Sequence, residues 1–331
     1  MDRASHLSTI VDLSPAQWTL SGSAPKERHS LDLQSFLSQL LIFLNSHVAC
    51  KDQNTLAIFG ALPGRSVMLY PSTTQAAGSN SADANTYRPF KVLDSTVIDS
   101  LSKQVEALDA SETEAPVGLV GALTKALCYI NRVAALATEN DQTVAVDPRI
   151  LILSVSPDQS ASYIPIMNSI FSAQKLKVTI DVCKVYGPDS VFLQQAAHLT
   201  GGSYIHLDRP DALLQYLTMS FLPPPSIRQL LAVPTQDKVD FRAACFCHKR
   251  IVDIGFVCSV CLSIFCQPVP VCSTCRTKFP IKTLQRLNAA RPTILTSAAT
   301  PTSGNASTFP SSTTNRVATT NGNGPNPNGV R

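Results

Sequence analysis

Cys258-Ser-Val-Cys261 and Cys272-Ser-Thr-Cys275 are two C-x-x-C pairs with ten residues between them. A tight turn with Cys at i and i+3 sets two thiolates on one side of the backbone. Two such turns brought face to face make a tetrahedral four-sulfur shell suited to Zn2+. The linking segment is shorter than the roughly 15 to 20 residues of common modules, yet long enough for the chain to turn back. Cys258, Cys261, Cys272 and Cys275 are therefore the expected ligands of one structural zinc per chain. A closed four-sulfur shell leaves no open position for substrate, so this metal is expected to hold structure and not to catalyse.

Three more thiols and an imidazole lie nearby in sequence: Cys245, Cys247, His248 and Cys266. Together with the first four they reach the ligand count of a two-zinc cross-brace. Cys247 and His248 are adjacent, however, and adjacent side chains are expected to project apart, which makes them a poor chelating pair; two readings stay open, a second ion or thiols packed beside the first site. Cys50, Cys128 and Cys183 stand alone in apolar segments and read as small core hydrophobes.

A second oxygen-rich segment is Asp12-Leu13-Ser14-Pro15-Ala16. It resembles the D-x-S-x-S loop that binds Mg2+ in von Willebrand A domains, but Ala16 offers no oxygen. The positions of that family's threonine, near Val117 or Gly121, and of its later aspartate, at Ser156 with Asp158 two residues on, also depart from the pattern. Hard cations need several oxygen ligands, so no Mg2+ is expected and Asp12 and Ser14 read as turn residues. Phosphate-loop, nucleophile-elbow and H-E-x-x-H motifs are lacking. His6, His29, His47, His198 and His206 are scattered as surface or satisfied core residues, and no catalytic residue is assigned.

The elements that must position these groups read as alternating strands and helices. Apolar runs at Ser8–Ser14, Thr55–Gly60, Ser66–Tyr70, Arg149–Ser156, Lys177–Val185 and Ser203–Leu207 predict six strands, the second and third forming a hairpin across Leu62-Pro63-Gly64-Arg65. Leu33, Phe36, Leu37, Leu40, Leu41, Leu44 and Val48 recur at helical period. Further helices are predicted over 97–108, 118–136, 163–174, 190–199 and 211–221, with an exposed loop over 71–95. Strands buried on both faces and separated by helices make a doubly wound, mostly parallel α/β sheet with one antiparallel edge strand. The prolines of Phe221-Leu222-Pro223-Pro224-Pro225 close it, giving an A-type domain over 1–225, a C4-type zinc module over 226–290 and a disordered Ser/Thr/Asn/Pro/Gly-rich tail over 291–331.

A hydrophobic content of 44% across 331 residues supplies a sizeable core. The net charge of +4 is small, and Lys249, Arg250, Arg276, Lys278, Lys282 and Arg286 are dispersed, which predicts at most weak, salt-dependent contact with nucleic acid. No stretch has the roughly 18 uncharged apolar residues of a membrane span, and no secretory signal is read at the start. Clustered thiols in an intracellular protein point to metal and not to disulfides.

The run Val239-Asp-Phe-Arg-Ala-Ala-Cys245-Phe-Cys247-His248, with Ile254-Gly-Phe-Val-Cys258-Ser-Val-Cys261-Leu-Ser-Ile-Phe-Cys266, resembles the smaller von Willebrand A-type subunits of general transcription and DNA repair factor IIH. Ala126-Leu-Cys-Tyr-Ile130-Asn131 agrees with that family's long helix, and the resemblance covers residues 5 to 283. It implies a nuclear, non-catalytic scaffold of the factor IIH core, in RNA polymerase II initiation and nucleotide excision repair. The implied partners are the larger A-type subunit, which carries a RING-like module, and the other core subunits. Two other classes compete with this reading: a RING-like ubiquitin ligase module, distinguished by its need for two zincs, and a DNA-binding zinc ribbon.

Overall fold

The computed structural model describes residues 4–23, 30–72, 87–108, 115–139, 146–159, 163–228, 230–231, 239, 241–248 and 250–289. The predicted tail over 291–331, the central part of the predicted 71–95 loop and His29 lie outside them.

Six strands form one sheet: β1 (Ser5–Asp12), β2 (Thr55–Leu62), β3 (Arg65–Pro71), β4 (Asp147–Ser154), β5 (Thr179–Lys184) and β6 (Tyr204–His206), in the order β3-β2-β1-β4-β5-β6. β3 pairs antiparallel with β2 and every other pairing is parallel. This is the expected A-type arrangement, a doubly wound sheet with one antiparallel edge. Alternation along each strand sends side chains to two cores. Leu7 and Val11 of β1, Leu151 and Leu153 of β4 and Cys183 of β5 face α1 (Pro15–Gly22), α2 (Leu33–Cys50) and α3 (Arg88–Glu106). Ile10, Ile150, Ile152, Ile180 and Val182 face α4 (Leu119–Glu139), α5 (Tyr163–Lys175) and α6 (Val191–Thr200).

Helix ends follow local chemistry. Asp32 caps α2 by accepting from Ser35 N at 3.3 Å, and Ser190 caps α6 by accepting from Leu193 N at 3.2 Å. Gly201 ends α6 at φ 73°, in the left-handed region. Gly202 passes so close to β5 that an added Cβ would lie 1.9 Å from Ile180 O.

Two helices depart from the sequence reading for one reason. Pro15 reads as a strand terminator leading into a loop, and residues 71–95 read as loop, yet α1 begins on Pro15 and α3 carries Pro89 in its first turn. Proline is favoured there because its missing N–H is an orphan anyway. The predicted 211–221 helix is broken into a 3-10 turn (Pro210–Ala212), α7 (Leu213–Tyr216) and a π turn (Leu217–Phe221). Cys183 is buried as expected, whereas Cys50 and Cys128 are exposed. Cys50 is the last residue of α2, and in α4 the sheet-facing positions next to Cys128 are taken by Leu127, Tyr129 and Ile130.

Two buried charges tie the end of this domain to its sheet. Arg149 on β4, 2% exposed, donates to Phe221 O at 3.0 Å and Pro223 O at 3.1 Å. It thereby satisfies carbonyls in a proline-rich segment poor in N–H donors to pair them. Burial is the main cause that lowers its pKa to about 10. Beyond the prolines, α8 (Pro225–Arg228) returns Arg228 to Asp181 on β5.

The cysteine-rich module carries a two-stranded ribbon of β7 (Phe256–Val257) and β8 (Ile264–Phe265), then α9 (Ile281–Ala289). It touches the larger domain at α6, where the Phe241 and His198 rings meet edge-on at 5.2 Å and Gln195 Nε2 donates to Arg242 O at 3.4 Å.

Candidate metal centres

The two C-x-x-C turns have the same backbone. Cys258 N donates to Ser263 O and Leu262 N to Cys258 O, both at 2.9 Å; Cys272 N donates to Thr277 O and Arg276 N to Cys272 O, again at 2.9 Å. Leu262 at φ 60° and Arg276 at φ 61° are the left-handed residues that close each turn. Such conformations are uncommon outside glycine, and here paired hydrogen bonds hold them.

The turns face one another. The ligand atoms of Cys258, Cys261, Cys272 and Cys275 all lie within 4.8 Å of one another, with Cys258 Sγ to Cys275 Sγ at 3.7 Å and Cys261 Sγ to Cys272 Sγ at 3.5 Å. A Zn–S bond of about 2.3 Å in a tetrahedron sets sulfur–sulfur edges of about 3.8 Å, so four thiolates at these separations fit the ion. The Ser263 and Thr277 hydroxyls each sit 3.1 Å from a sulfur, Cys261 and Cys275 respectively, and such contacts orient ligands and temper their charge. Cys258, Phe265 and Cys272 are the buried centre of the module, with Phe246, Val269 and Phe279 around them. So few apolar groups cannot hold a fold alone, which gives a bound metal a structural task.

Cys245, Cys247, His248 and Cys266 also converge, their ligand atoms within 4.8 Å of one another. This corrects the expectation that Cys247 and His248 project apart: Cys247 Sγ lies 3.3 Å from His248 Nδ1. Adjacent residues in a turn share a side when the backbone between them curls, and here it does. The sequence signal for this convergence is Cys245-x-x-His248, which has the same i, i+3 spacing as the two C-x-x-C pairs.

At the carboxyl edge of the sheet, the carboxylate of the A-type loop is engaged by the protein's own donors. Asp12, fully buried, accepts at Oδ1 from Ser14 N (3.2 Å) and Ser156 Oγ (3.1 Å), and at Oδ2 from Val155 N (3.1 Å) and Ser156 N (2.8 Å). Lys184, also fully buried, donates to Ser154 Oγ at 3.4 Å and to the Ser156 carbonyl. Burial depresses its pKa, while Asp12 opposes that shift. Asp158 is turned away to the start of α6, where it accepts from Ser190 Oγ and from Phe192 N at 3.2 Å. Val117 makes a bridge with Pro63 and Gly121 faces Ser66 Oγ, so neither supplies an oxygen ligand from a side chain. The carboxylate's lone pairs are thus already taken by the protein's own donors, with the buried Lys184 ammonium bonded to the Ser156 carbonyl nearby.

Comparisons with known proteins bear on the family and the fold. The family model described as "Transcription factor Tfb4" matches residues 4–276, spanning the sheet and both cysteine clusters. A fission yeast protein, "General transcription and DNA repair factor IIH subunit tfb4", is 41% identical, over 86% of this chain and 92% of its own length. An Arabidopsis thaliana protein, "General transcription and DNA repair factor IIH subunit TFB4", is 37% identical over 84% and 90% of the two chains. Among solved structures, "Crystal Structure of the TFIIH p34 N-terminal Domain" superposes with a TM-score of 0.57 at 30% identity, covering 66% of this chain and 98% of that one. A match that runs through the whole sheet and on through the cysteine knuckles places the chain in the transcription factor Tfb4 family.

Proposed function

We propose that this chain is a structural, non-catalytic subunit of the core of general transcription and DNA repair factor IIH, acting in the nucleus in transcription initiation by RNA polymerase II and in nucleotide excision repair. The observation that carries the reading is the continuous family match over residues 4–276, with relatives that bear that factor's name over most of their own length. The chemistry is consistent with it: the thiolate shell of Cys258, Cys261, Cys272 and Cys275 leaves no open coordination position. Zinc is the ion that such a tetrahedral four-sulfur shell suits, and it would serve to fold the module.

The A-type domain over 1–225 is the docking unit in this reading, the module over 226–290 a metal-stabilised appendage, and the tail over 291–331 dispensable for docking. A sheet covered on both faces presents preformed helices and strand-end loops, so little affinity is lost to ordering on binding. The partner proposed is the larger A-type subunit of factor IIH, through its RING-like module. Among the described residues no helix is long and apolar enough to cross a membrane.

Co-expression with that subunit followed by size-exclusion chromatography tests the assignment. A chain cut after residue 231, which keeps the contact of Arg228 with Asp181, should co-elute with the partner. If only the isolated module or the tail co-elutes, the docking assignment is wrong. A ubiquitin-discharge assay with charged conjugating enzymes should give no transfer; discharge above background would return the module to the ligase class.

A further inference from the structure

Three stretches of the module, not two, have the knuckle backbone. In each, a cysteine N–H donates to the carbonyl five residues on, at 2.9 Å: Cys245 to Arg250, Cys258 to Ser263, and Cys272 to Thr277. In each, the residue before that cysteine pairs antiparallel with the residue six after it: Ala244 with Ile251, Val257 with Ile264, and Val271 with Lys278. Position i+3 of the second and third knuckles carries Cys261 and Cys275, and in the first it carries His248. The same turn that aims two sulfurs at one point therefore aims a sulfur and an imidazole nitrogen at one point.

Two further sulfurs reach that point. Phe246 N donates to Ile264 O at 2.7 Å, which lays the first knuckle along β8 and sets Cys247 beside Cys266. Cys247 Sγ is 3.5 Å from Cys266 Sγ, and His248 Nδ1 is 3.2 Å from Cys266 Sγ and 3.3 Å from Cys247 Sγ. Zn–S and Zn–N bonds of about 2.3 and 2.0 Å set tetrahedral edges of about 3.8 and 3.5 Å, so the cluster is close to the required size. Packing does not account for the convergence. Cys245 is buried, but Cys247 and His248 are exposed and Cys266 is half-buried, so three of the four gain little by leaving water.

We propose that Cys245, Cys247, His248 and Cys266 form a second metal centre, a mixed sulfur and nitrogen site that takes Zn2+ through three thiolates and His248 Nδ1. Soft thiolate ligands with one imidazole in a tetrahedral set favour this ion over hard cations. The chain then carries two ions, not the single one expected from the C-x-x-C pairs. The inference rests on the knuckle geometry and not on the factor IIH assignment; since a RING-like module also needs two zincs, the ubiquitin-discharge assay, and not the metal count, separates the scaffold from the ligase reading. Cys266 lies in sequence between the two pairs of the other site, so the ligand sets interleave and each ion ties down loops that the other leaves free.

Metal analysis of the full-length chain decides it. After saturation with zinc and desalting, the wild-type chain should hold two ions, and Cys266→Ser should hold one. Replacement by Co2+ should give a visible spectrum with two components, one from the all-sulfur site and one from the mixed site, the second missing in Cys266→Ser. Because that variant is open to misfolding, His248→Cys provides the control: it should keep two ions and turn the mixed-site component into a second all-sulfur component. One ion in the saturated wild-type chain overturns the proposal. So does an unchanged cobalt spectrum in His248→Cys, or two ions retained in Cys266→Ser.

Discussion

The Arg228 guanidinium closes on the Asp181 carboxylate with Nη2 and Oδ2 at 2.8 Å, both side chains almost wholly buried and separated by 47 residues of sequence. Arg228 also donates to Phe221 O at 3.1 Å and through Nε to Pro223 O at 2.9 Å, while Asp181 accepts from Ser203 N at 3.0 Å. The pair thus locks the segment after the prolines onto β5. A buried pair is weak evidence of net stability, but removing one partner strands a charge in a low dielectric.

Arg228→Ala should therefore destabilise the A-type domain by about 3 kcal/mol. Trp18, the single tryptophan, packs on Phe36 at 4.6 Å between ring centroids, so its fluorescence during urea unfolding reports this domain alone. Asp181→Asn in the Arg228→Ala background should recover part of the loss. A change within experimental error for Arg228→Ala would show that Arg149, which also favours the Asp181 charge, suffices.

Asp12 leads to an expectation about cations. Four N–H and O–H donors occupy the carboxylate, and Ala16 adds no oxygen, so a hydrated divalent ion has little to gain. Millimolar Mg2+ should leave the melting temperature of the chain unchanged. Ligand binding to the native state raises it. A Mg2+-dependent rise abolished by Asp12→Ala would sink this reading of the loop.

Much of this architecture was legible in sequence because it is written locally. The parallel strands are apolar runs, as burial on both faces demands, and the C-x-x-C turns are complete within six residues. Missed features depend on pairing over distance. Nothing near Arg228 marks Asp181 as its partner, and nothing in Asp12-Leu13-Ser14 announces Lys184. The Cys245 and His248 spacing is local, but whether Cys247 joins them depends on Phe246 pairing with Ile264 across the module. Pro15 is a local signal with two meanings, strand end or helix start, and the packing of α1 on the sheet selects the second; the loop read over 71–95 from polar composition likewise gives way to α3 from Arg88 on.

Two buried histidines predict how the A-type domain responds to acid. His6 sits between Thr55 Oγ1 at 2.8 Å and Ser8 Oγ at 3.0 Å, and burial lowers its pKa to about 4. His47 is held at about 4 by burial first and by the Arg149 charge second. Both lie below the ordinary value near 6.5, so between those limits the unfolded chain binds protons that the native chain refuses. Stability should be full above pH of about 6.5 and fall as pH drops toward about 4, by as much as ~3 kcal/mol per histidine. Urea midpoints followed by Trp18 fluorescence at stepped pH should show this slope, and His6→Gln should flatten it. A slope identical in His6→Gln would assign the acid sensitivity elsewhere.

The two parts of the chain should also differ in what holds them folded. The A-type domain holds two apolar cores, one on each face of its sheet, whereas the module's buried centre is Cys258, Phe265 and Cys272. A centre that small relies on its metal, so ligand loss and unfolding should coincide there and nowhere else. Cys272→Ser removes a fully buried sulfur of the proposed four-sulfur site, and neither a weakened shell nor a buried hydroxyl in place of the sulfur is easily tolerated. Hydrogen exchange should show residues 256–279 losing protection in this variant, along with the contact of Phe241 and Arg242 with α6. The strands of the sheet should keep theirs, and the Trp18 unfolding midpoint should shift by less than about 1 kcal/mol, as for a substitution remote from that core. If the sheet loses protection together with the module, the two parts fold as one unit and the metal supports the whole chain.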